Sequence, residues 1–415
     1  MAAVDHCTTG KPGPTLTVDA AQLRALIAVS PLHDTETLPL AAALGRVAAT
    51  GAQALVNLPP FDNAAMDGYA LRMADLNGPG PWTLAVAGRI AAGDPGDGSL
   101  PAGTAIRILT GAPILSGADA VVMQERVTRV GRMIRLDHAP TPGANIRRRG
   151  EDVAAGSSPV MAGLCLTAAR LAVLAGCGVP SLPVYRRLRV AMFSTGNELQ
   201  DPGQALAPGQ IYNSNRVMLR GLLTVPWIAL TDLGILRDDL RAIRAIIRDA
   251  APLHDVVIST GGVSAGDKDH VLDALRREDA TLDVLKVAIR PGKPLTVGRV
   301  GGAQFIGLPG NPYATAITFA QIALPALRRA AGLTETPDTA IPCVADFDYV
   351  RVQGRREYVP VTWDSRDAMG RPVLQRLGLG ASASLSPLAV ARGIAALPAD
   401  LPRVSRGTAL LVDPL

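Results

Sequence analysis

The rhythm of apolar and polar positions changes several times along the chain. From Leu188 to about Ala330, strand-like apolar runs alternate with amphipathic segments: LRVAMFST, a helix around Asn215–Leu223, IALTDLG, a helix around Asp239–Ala250, DVVIST, a helix after Asp269, LTVGRV, QFIGLP and a helix from Pro312. Apolar runs of this length predict buried strands, and their alternation with helices predicts βαβ units and a parallel sheet covered on both faces. The flanks read differently. TVDAAQLRALIA at Thr17–Ala28 has helical periodicity behind a Thr or Asp cap. From about Leu55 to Leu166 the runs are short and separated by Gly and Pro (WTLAVAGRI, AIRILTG, AVVMQERV, MIRLDH), which predicts a small all-β or mixed domain. Beyond the linker-like TETPDT, the runs VADFDYV, EYVPVTW and ALLVDPL predict a small terminal β-domain.

The predicted fold class is therefore multidomain α/β and β. A central three-layer α/β/α domain with a mostly parallel sheet is flanked by an N-terminal β-rich domain with a linker region and by a small C-terminal β-domain. The boundaries fall at 15–183, 184–332 and 336–415.

Composition narrows the function classes. At 415 residues and 48% hydrophobic, the chain can bury several cores. Lys plus Arg exceed Asp plus Glu by 41 to 36, an interspersed excess of +5 with no basic tail, and aromatics are only 3%. Both features argue against nucleic-acid binding. Cys7, Cys165, Cys177 and Cys343 contain no C-x-x-C pair and lie far from clustered histidines, so neither a zinc site nor a disulfide framework is expected. MAAVDHCTTGKPG lacks a signal-peptide core and the longest apolar run is broken by Gly and Pro, so the expectation is a cytoplasmic protein without a membrane segment.

Candidate chemistry gathers in three loops that follow strand-like runs: STGNEL (Ser194–Leu199), STGGVSAGDKD (Ser259–Asp269) and GLPGNP (Gly307–Pro312). Ligands of open parallel sheets bind beyond the carboxyl ends of strands, so all three are expected to face one pocket. Gly261 and Gly262 permit positive φ and close backbone approach to phosphate. Asn311 suits an N-cap and Pro312 a first helical turn, which would aim a helix start at the same place. Any one such loop reads as an ordinary turn; three together favour a phosphate or oxyanion site. Glu198, Asp238, Asp267 and Asp269 lie in or beside these loops and suit Mg²⁺, which needs only one or two protein carboxylates. Helix capping is the alternative for Asp238, Asp239 and Asp269, and for the first two the readings balance. In KVAIRPGKP an extended chain puts Lys286 and Arg290 on one side, and the Pro-Gly turn redirects Lys293. Beside anion-cradling loops these are cations for phosphate or oxyanion rather than a solvated edge. Asp67 in PPFDNAAMDGYA, Thr110 in RILTGAP and the arginines of NIRRRGED are not separable by spacing from turn and surface chemistry.

The ordered motifs PPFDNAAMDGYA, RILTGAP, GADAVVMQE, NIRRRGED, STGNEL, GGVSAGDKD, AIRPGKP and GLPGNP closely resemble the MoeA family, the molybdopterin molybdotransferases, related to the gephyrin E domain and its plant counterpart. The resemblance runs from about residue 17 to the C-terminus. It implies a homodimer of elongated four-domain subunits that inserts molybdate into adenylated molybdopterin and releases AMP with Mg²⁺, and a molybdopterin adenylyltransferase is a candidate partner. The family's acidic and polar positions fall on Asp67, Thr110, Glu198, Asp238 and Asp269, its basic ones on Lys286, Arg290 and Lys293, and its loop prolines on Pro309 and Pro312. On this reading Asp67, Thr110, Glu198, Asp238, Asp269, Lys286 and Arg290 are catalytic, and Glu198, Asp238 and Asp269 hold the metal. Ser194, Thr195, Gly196, Ser259, Gly261, Gly262, Ser264, Lys293, Pro309, Gly310, Asn311 and Pro312 bind substrate. The family cleft lies between the α/β domain of one subunit and the β-domain of the other. Arg290 stands where some relatives carry Lys, and Ala64 where some carry Ser; Arg and Lys meet oxyanions with different geometry. The alternatives are a molybdopterin adenylyltransferase, which lacks the β-domain and C-terminal motifs, and a non-catalytic scaffold related to gephyrin, which the charged loop residues argue against.

Overall fold

The computed structural model describes residues 15–262, 269–335, 339–351, 353–378 and 380–415. Helix α1 (Val18–Ala28) starts at Thr17, whose Oγ1 accepts the amide of Ala20 at 3.1 Å. The sequence groups this helix with the β-rich region. Its buried face, Val18, Ala21 and Ala25, instead joins the core of the α/β region.

The N-terminal region holds distinct small cores. In one, the strands Thr35–Pro39 and Ser181–Tyr185 pair antiparallel beside α2 (Ala168–Gly176), over Val160, Leu166 and Leu174. The other is a six-stranded sheet in the order 120–123, 68–71, 104–108, 82–90, 133–136 and 127–130, with apolar clusters on both faces.

The central sheet runs in the order Ile228–Leu236, Leu188–Thr195, Val256–Thr260, Ala303–Leu308, Leu295–Val300 and Thr281–Leu285. Its first four strands are parallel; Leu295–Val300 pairs antiparallel with Ala303–Leu308, and Thr281–Leu285 antiparallel with Leu295–Val300. Alternate side chains go to opposite faces. Val190, Met192, Val256, Ile258 and Ile306 join Leu219 and Leu223 of α3 (Ser214–Leu223), while Ala191, Phe193, Val257 and Phe305 join α4 (Leu240–Ala250) and α5 (His270–Arg277). Burial on both faces is why these strands read as unbroken apolar runs. Helix α6 (Pro312–Thr318) continues through a π-helical turn at Phe319–Ala323 into Leu324–Ala330 and covers the first face. The edge strand Thr281–Leu285 was not anticipated, because Asp283 and the exposed Val284 break its apolar pattern.

In the C-terminal region the strand Arg356–Arg366 pairs with both Pro372–Arg376 and Gly393–Leu397, so the sheet closes on itself like a barrel. Ile289–Arg290, from the AIRPGKP segment, adds to it in parallel beside Arg356–Glu357. The same segment is held on its other side by Leu16, whose amide donates to the Lys286 carbonyl at 2.8 Å and whose carbonyl accepts from Ala288 at 2.7 Å. Asp19 of α1 forms a bidentate ion pair with Arg356, at 2.7 and 2.9 Å.

Candidate functional site

Adjacent parallel strands end in register at Ser194, Thr260 and Leu308, so the loops that follow open along one edge of the sheet. They line a cleft of about 960 Å³. Thr195, Gly196 and Glu198 enter it from the first loop, Gly261, Gly262 and Asp269 from the second, and Pro309, Gly310, Asn311 and Pro312 from the third. This is the convergence expected of strand ends in an open α/β sheet.

The glycine pair is dictated by geometry. Gly261 and Gly262 have φ of +83° and +63°. A Cβ on Gly261 would lie 2.6 Å from the Thr195 carbonyl oxygen, and one on Gly262 would lie 2.5 Å from Val271 Cγ2. In the neighbouring loop the Glu198 carboxylate folds over Gly196, where a Cβ would come within 2.6 Å of Oε2. Thr195 Oγ1 is buried among these groups and has no hydrogen-bond partner among the described residues.

The acidic residues divide between capping a helix and lining the cleft. Asp239 caps α4, accepting the Ala242 amide at 2.7 Å. Its neighbour Asp238 lines the cleft and exchanges two hydrogen bonds with Asn197, at 3.3 and 3.2 Å. Asp269 does both: Oδ1 accepts the Leu272 amide at 3.0 Å, and the residue lines the cleft. Asn311 occupies the N-cap position of α6 but makes no capping bond through its side chain. Its Nδ2 donates instead to Ser382 Oγ, 3.1 Å away in the C-terminal region.

Arg290 and the exposed Lys293 line the cleft. Arg290 is also 3.6 Å from Glu357, a buried carboxylate shared with Arg351 and Tyr349. Lys286 does not line it; its segment is pinned by the Leu16 backbone. Ser194 and Ser259 are 1% and 0% exposed, beneath the cleft rather than in it. Ser264 and Asp267 lie outside the described residues.

Several lining residues escaped the sequence reading. Asn213, Ser214 and Asn215 open α3, Tyr212 precedes them, and Arg355 and Ser382 come from the C-terminal region. The NSN run directly before a helical pattern was the available signal for the first three. Arg355 and Ser382 reach the cleft only through tertiary packing: the Tyr313 amide donates to the Ser382 carbonyl at 3.1 Å.

Asp67 and Thr110 sit together in the N-terminal six-stranded region, outside the lining of this cleft. The Thr110 amide and Oγ1 both donate to Asp67 Oδ1, at 2.8 and 2.7 Å. Those bonds, the hydroxyl's first, hold the Asp67 carboxyl below the usual range. Arg148 and Arg149 of the NIRRRGED run are engaged by Asp62, which accepts the Arg148 guanidinium at 2.7 Å and the Arg149 amide at 2.8 Å.

Glu198, Asp238 and Asp269 present hard oxygen donors in one cleft, yet among the described residues no three His, Cys, Asp or Glu converge tightly enough to cage a metal. Such a donor set suits an ion held by one or two carboxylates plus substrate phosphate and water, which is how Mg²⁺ binds.

A mostly parallel α/β sheet whose carboxyl edge gathers glycine loops, carboxylates and cations defines a phosphate- or oxyanion-handling protein. Matches to family models place it further: residues 16–178 match the MoeA N-terminal region (domain I and II), 191–329 a probable molybdopterin binding domain, and 343–415 the MoeA C-terminal region (domain IV). The chain belongs to the MoeA family. It is 35% identical over 401 residues to a molybdopterin molybdenumtransferase of Haemophilus influenzae, spanning 96% of this chain and 98% of that one. To molybdopterin molybdenumtransferase 2 of Mycobacterium tuberculosis it is 38% identical over 384 residues, 91% and 94% of the two chains. The crystal structure of the molybdopterin biosynthesis MoeA protein from Pyrococcus horikoshii OT3 superposes with a TM-score of 0.80 at 27% identity, covering 97% of this chain and all of that one.

Proposed function

We propose that the chain is a molybdopterin molybdenumtransferase of molybdenum cofactor biosynthesis, inserting molybdate into adenylated molybdopterin with release of AMP. The observation that carries this reading is the single cleft shared by three carboxylates (Glu198, Asp238, Asp269), three cations (Arg290, Lys293, Arg355) and the glycine loops. A substrate with a phosphoanhydride needs backbone amides and a metal for its phosphates, and a tetrahedral dianion needs fixed positive charge.

On this reading the backbone at Thr195–Gly196 and Gly261–Gly262, together with the start of α6 at Pro312, holds the phosphates. Arg290, Lys293 and Arg355, the cations that line the cleft, bind molybdate. Glu198, Asp238 and Asp269 would hold Mg²⁺, and a carboxylate among them would take the proton of the water whose oxygen bonds to phosphorus as the anhydride P–O bond breaks and AMP leaves. When bound, Mg²⁺ offsets the negative charge on the anhydride oxygens. Asp67 and Thr110 complete the cleft from the second subunit of a homodimer, a role supported by their pairing in a separate sheet from the three loops.

The α/β/α layering and the divisions 15–183, 184–332 and 336–415 belong to the same reading, supported by the two clusters that cover the central sheet and by the spans of the family models. So does a cytoplasmic setting with adenylated molybdopterin handed over by an adenylyltransferase. Cys165, Cys177 and Cys343 are unbridged, as suits a reducing compartment, and among the described residues no helix is long and apolar enough to cross a membrane.

The test is to incubate the purified protein with adenylated molybdopterin, Mg²⁺ and molybdate and to quantify AMP and active cofactor. Molybdate-dependent AMP release with cofactor formed is expected, and Asp269→Asn and Lys293→Ala should each lower it at least about tenfold. Tight substrate binding without turnover, or wild-type rates in both variants, would sink the assignment.

A further inference from the structure

We infer that Tyr212 is the ring-stacking wall of the cleft, the subsite that recognises a planar heteroaromatic group of the substrate. This rests on the reading of the cleft as a site for adenylated molybdopterin, which carries two such groups, adenine and pterin.

Aromatic side chains are scarce in this chain and nearly all serve its cores. Of its 14 Phe, Tyr and Trp residues, only Phe61 and Tyr212 are more than 36% exposed, at 44% and 46%. Tyr212 is also the one Phe, Tyr or Trp among the described residues that line the cleft. It stands with Leu199 and Ile211, which together give the cleft one apolar stretch with an aromatic ring in it.

The ring is held as a surface rather than left to swing. Leu199–Gln200 and Ile211–Tyr212 pair as two short strands, fixed by hydrogen bonds from the Ile211 amide to the Glu198 carbonyl at 2.7 Å and from the Asn213 amide to the Gln200 carbonyl at 2.9 Å. The phenol hydroxyl donates to the Gln204 carbonyl at 2.9 Å, which satisfies its polar end within the same excursion and leaves the faces of the ring to a ligand. At the base, Arg216 ties Asp201 to Asp232 of the central sheet, at 2.7 and 2.9 Å. The clasp ties this wall to Glu198 and so to the loop whose Thr195–Gly196 backbone, on the proposed reading, meets phosphate. Stacking on one face needs no hydrogen-bond code and accepts either heterocycle.

Calorimetric titration of AMP, of a simple pterin (neopterin) and of ribose 5-phosphate into wild type, Tyr212→Ala and Tyr212→Phe separates the sources. We expect Tyr212→Ala to weaken AMP, the pterin or both by at least about fivefold, leave ribose 5-phosphate unchanged, and be largely rescued by Tyr212→Phe, which keeps the ring. Loss confined to AMP assigns the wall to adenine, and loss confined to neopterin assigns it to the pterin. Affinities within about twofold of wild type for both ring ligands, or a parallel loss of ribose 5-phosphate, overturn the inference while leaving the cleft reading intact. A wild-type protein that binds none of the three overturns both.

Discussion

The Nδ2 group of Asn215 lies 2.7 Å from the carbonyl oxygen of Gly310 and 3.3 Å from Thr260 Oγ1, so one buried carboxamide ties together the starts of two cleft loops. Asn215 is 6% exposed; its bond to Thr260 is shielded from competing water, while the bond to Gly310 is half-buried at the cleft wall. Asn215→Ala removes the tie and leaves a carbonyl and a hydroxyl short of a donor, a cost of about 1–3 kcal/mol. We expect KM for the adenylated substrate to rise about tenfold, with a smaller effect on the overall unfolding midpoint. Asn215→Asp should behave alike, because it lacks the donor. Steady-state kinetics of AMP release beside a thermal melt would check this; unchanged KM in both variants would show that the loops hold their spacing without the tie.

Thr110 gives Asp67 two hydrogen bonds and keeps its carboxyl below the usual range. Thr110→Val removes the hydroxyl's share, so the Asp67 pKa should rise toward its ordinary value and the carboxylate should take up a proton at a higher pH. If Asp67 acts as an anion in the reaction, the acidic limb of the kcat/KM profile moves to higher pH in this variant, while the alkaline limb stays in place. An acidic limb that does not move would separate Asp67 from the chemistry.

At the opposite, amino end of the central sheet, Asp255 joins Arg186 at 2.6 and 2.8 Å and Arg189 at 3.1 Å. Burial alone would raise its pKa, but the hydrogen bonds from Arg186 and Arg189 outweigh it and bring the value down to about 2. A carboxyl whose folded pKa is depressed adds stability that is present above its unfolded pKa near 3.8 and is lost as pH falls through about 2. The titration-linked part is about 2 kcal/mol. Asp255→Asn should therefore be less stable than wild type at pH 6, and the gap should close as pH falls from 4 to 2. Urea midpoints across that range provide the measurement; a gap independent of pH would attribute the loss to packing.

How far the sequence reached follows from which forces act locally. Strands buried on both faces write themselves as apolar runs, so Leu188–Thr195 and Val256–Thr260 were legible together with the loops after them. Asp239 was a cap and Asp238 a cleft residue, a distinction that depends on one peptide's orientation and not on residue type. Arg355 and Ser382 were invisible because a separate closed sheet brings them in. AIRPGKP shows the same limit. Its cations were recognised, but its pairing with Arg356–Glu357, which leaves Arg290 in the cleft while Lys286 is not, is a contact across more than 60 residues of chain.

Two glycines of the cleft loops make opposite predictions. Gly262 has φ of +63°, and a methyl there would lie 2.5 Å from Val271 Cγ2 and 2.9 Å from Thr195 Oγ1. Gly262→Ala therefore carries both a left-handed backbone penalty of about 1–2 kcal/mol and a clash with the first turn of α5. Relief moves the loop and its amides, which on the proposed reading meet the phosphate. Gly310 has no such restraint, since a methyl there would meet only Gly261 Cα at 3.8 Å, ordinary van der Waals contact. We expect Gly262→Ala to lose most AMP binding, with the melt lowered by a few degrees. Gly310→Ala should fold and melt like wild type, and any loss of binding it shows would reflect a ligand atom in the space of the added methyl. Equal binding by Gly262→Ala and wild type would mean that the amides of this loop do not contact the phosphate.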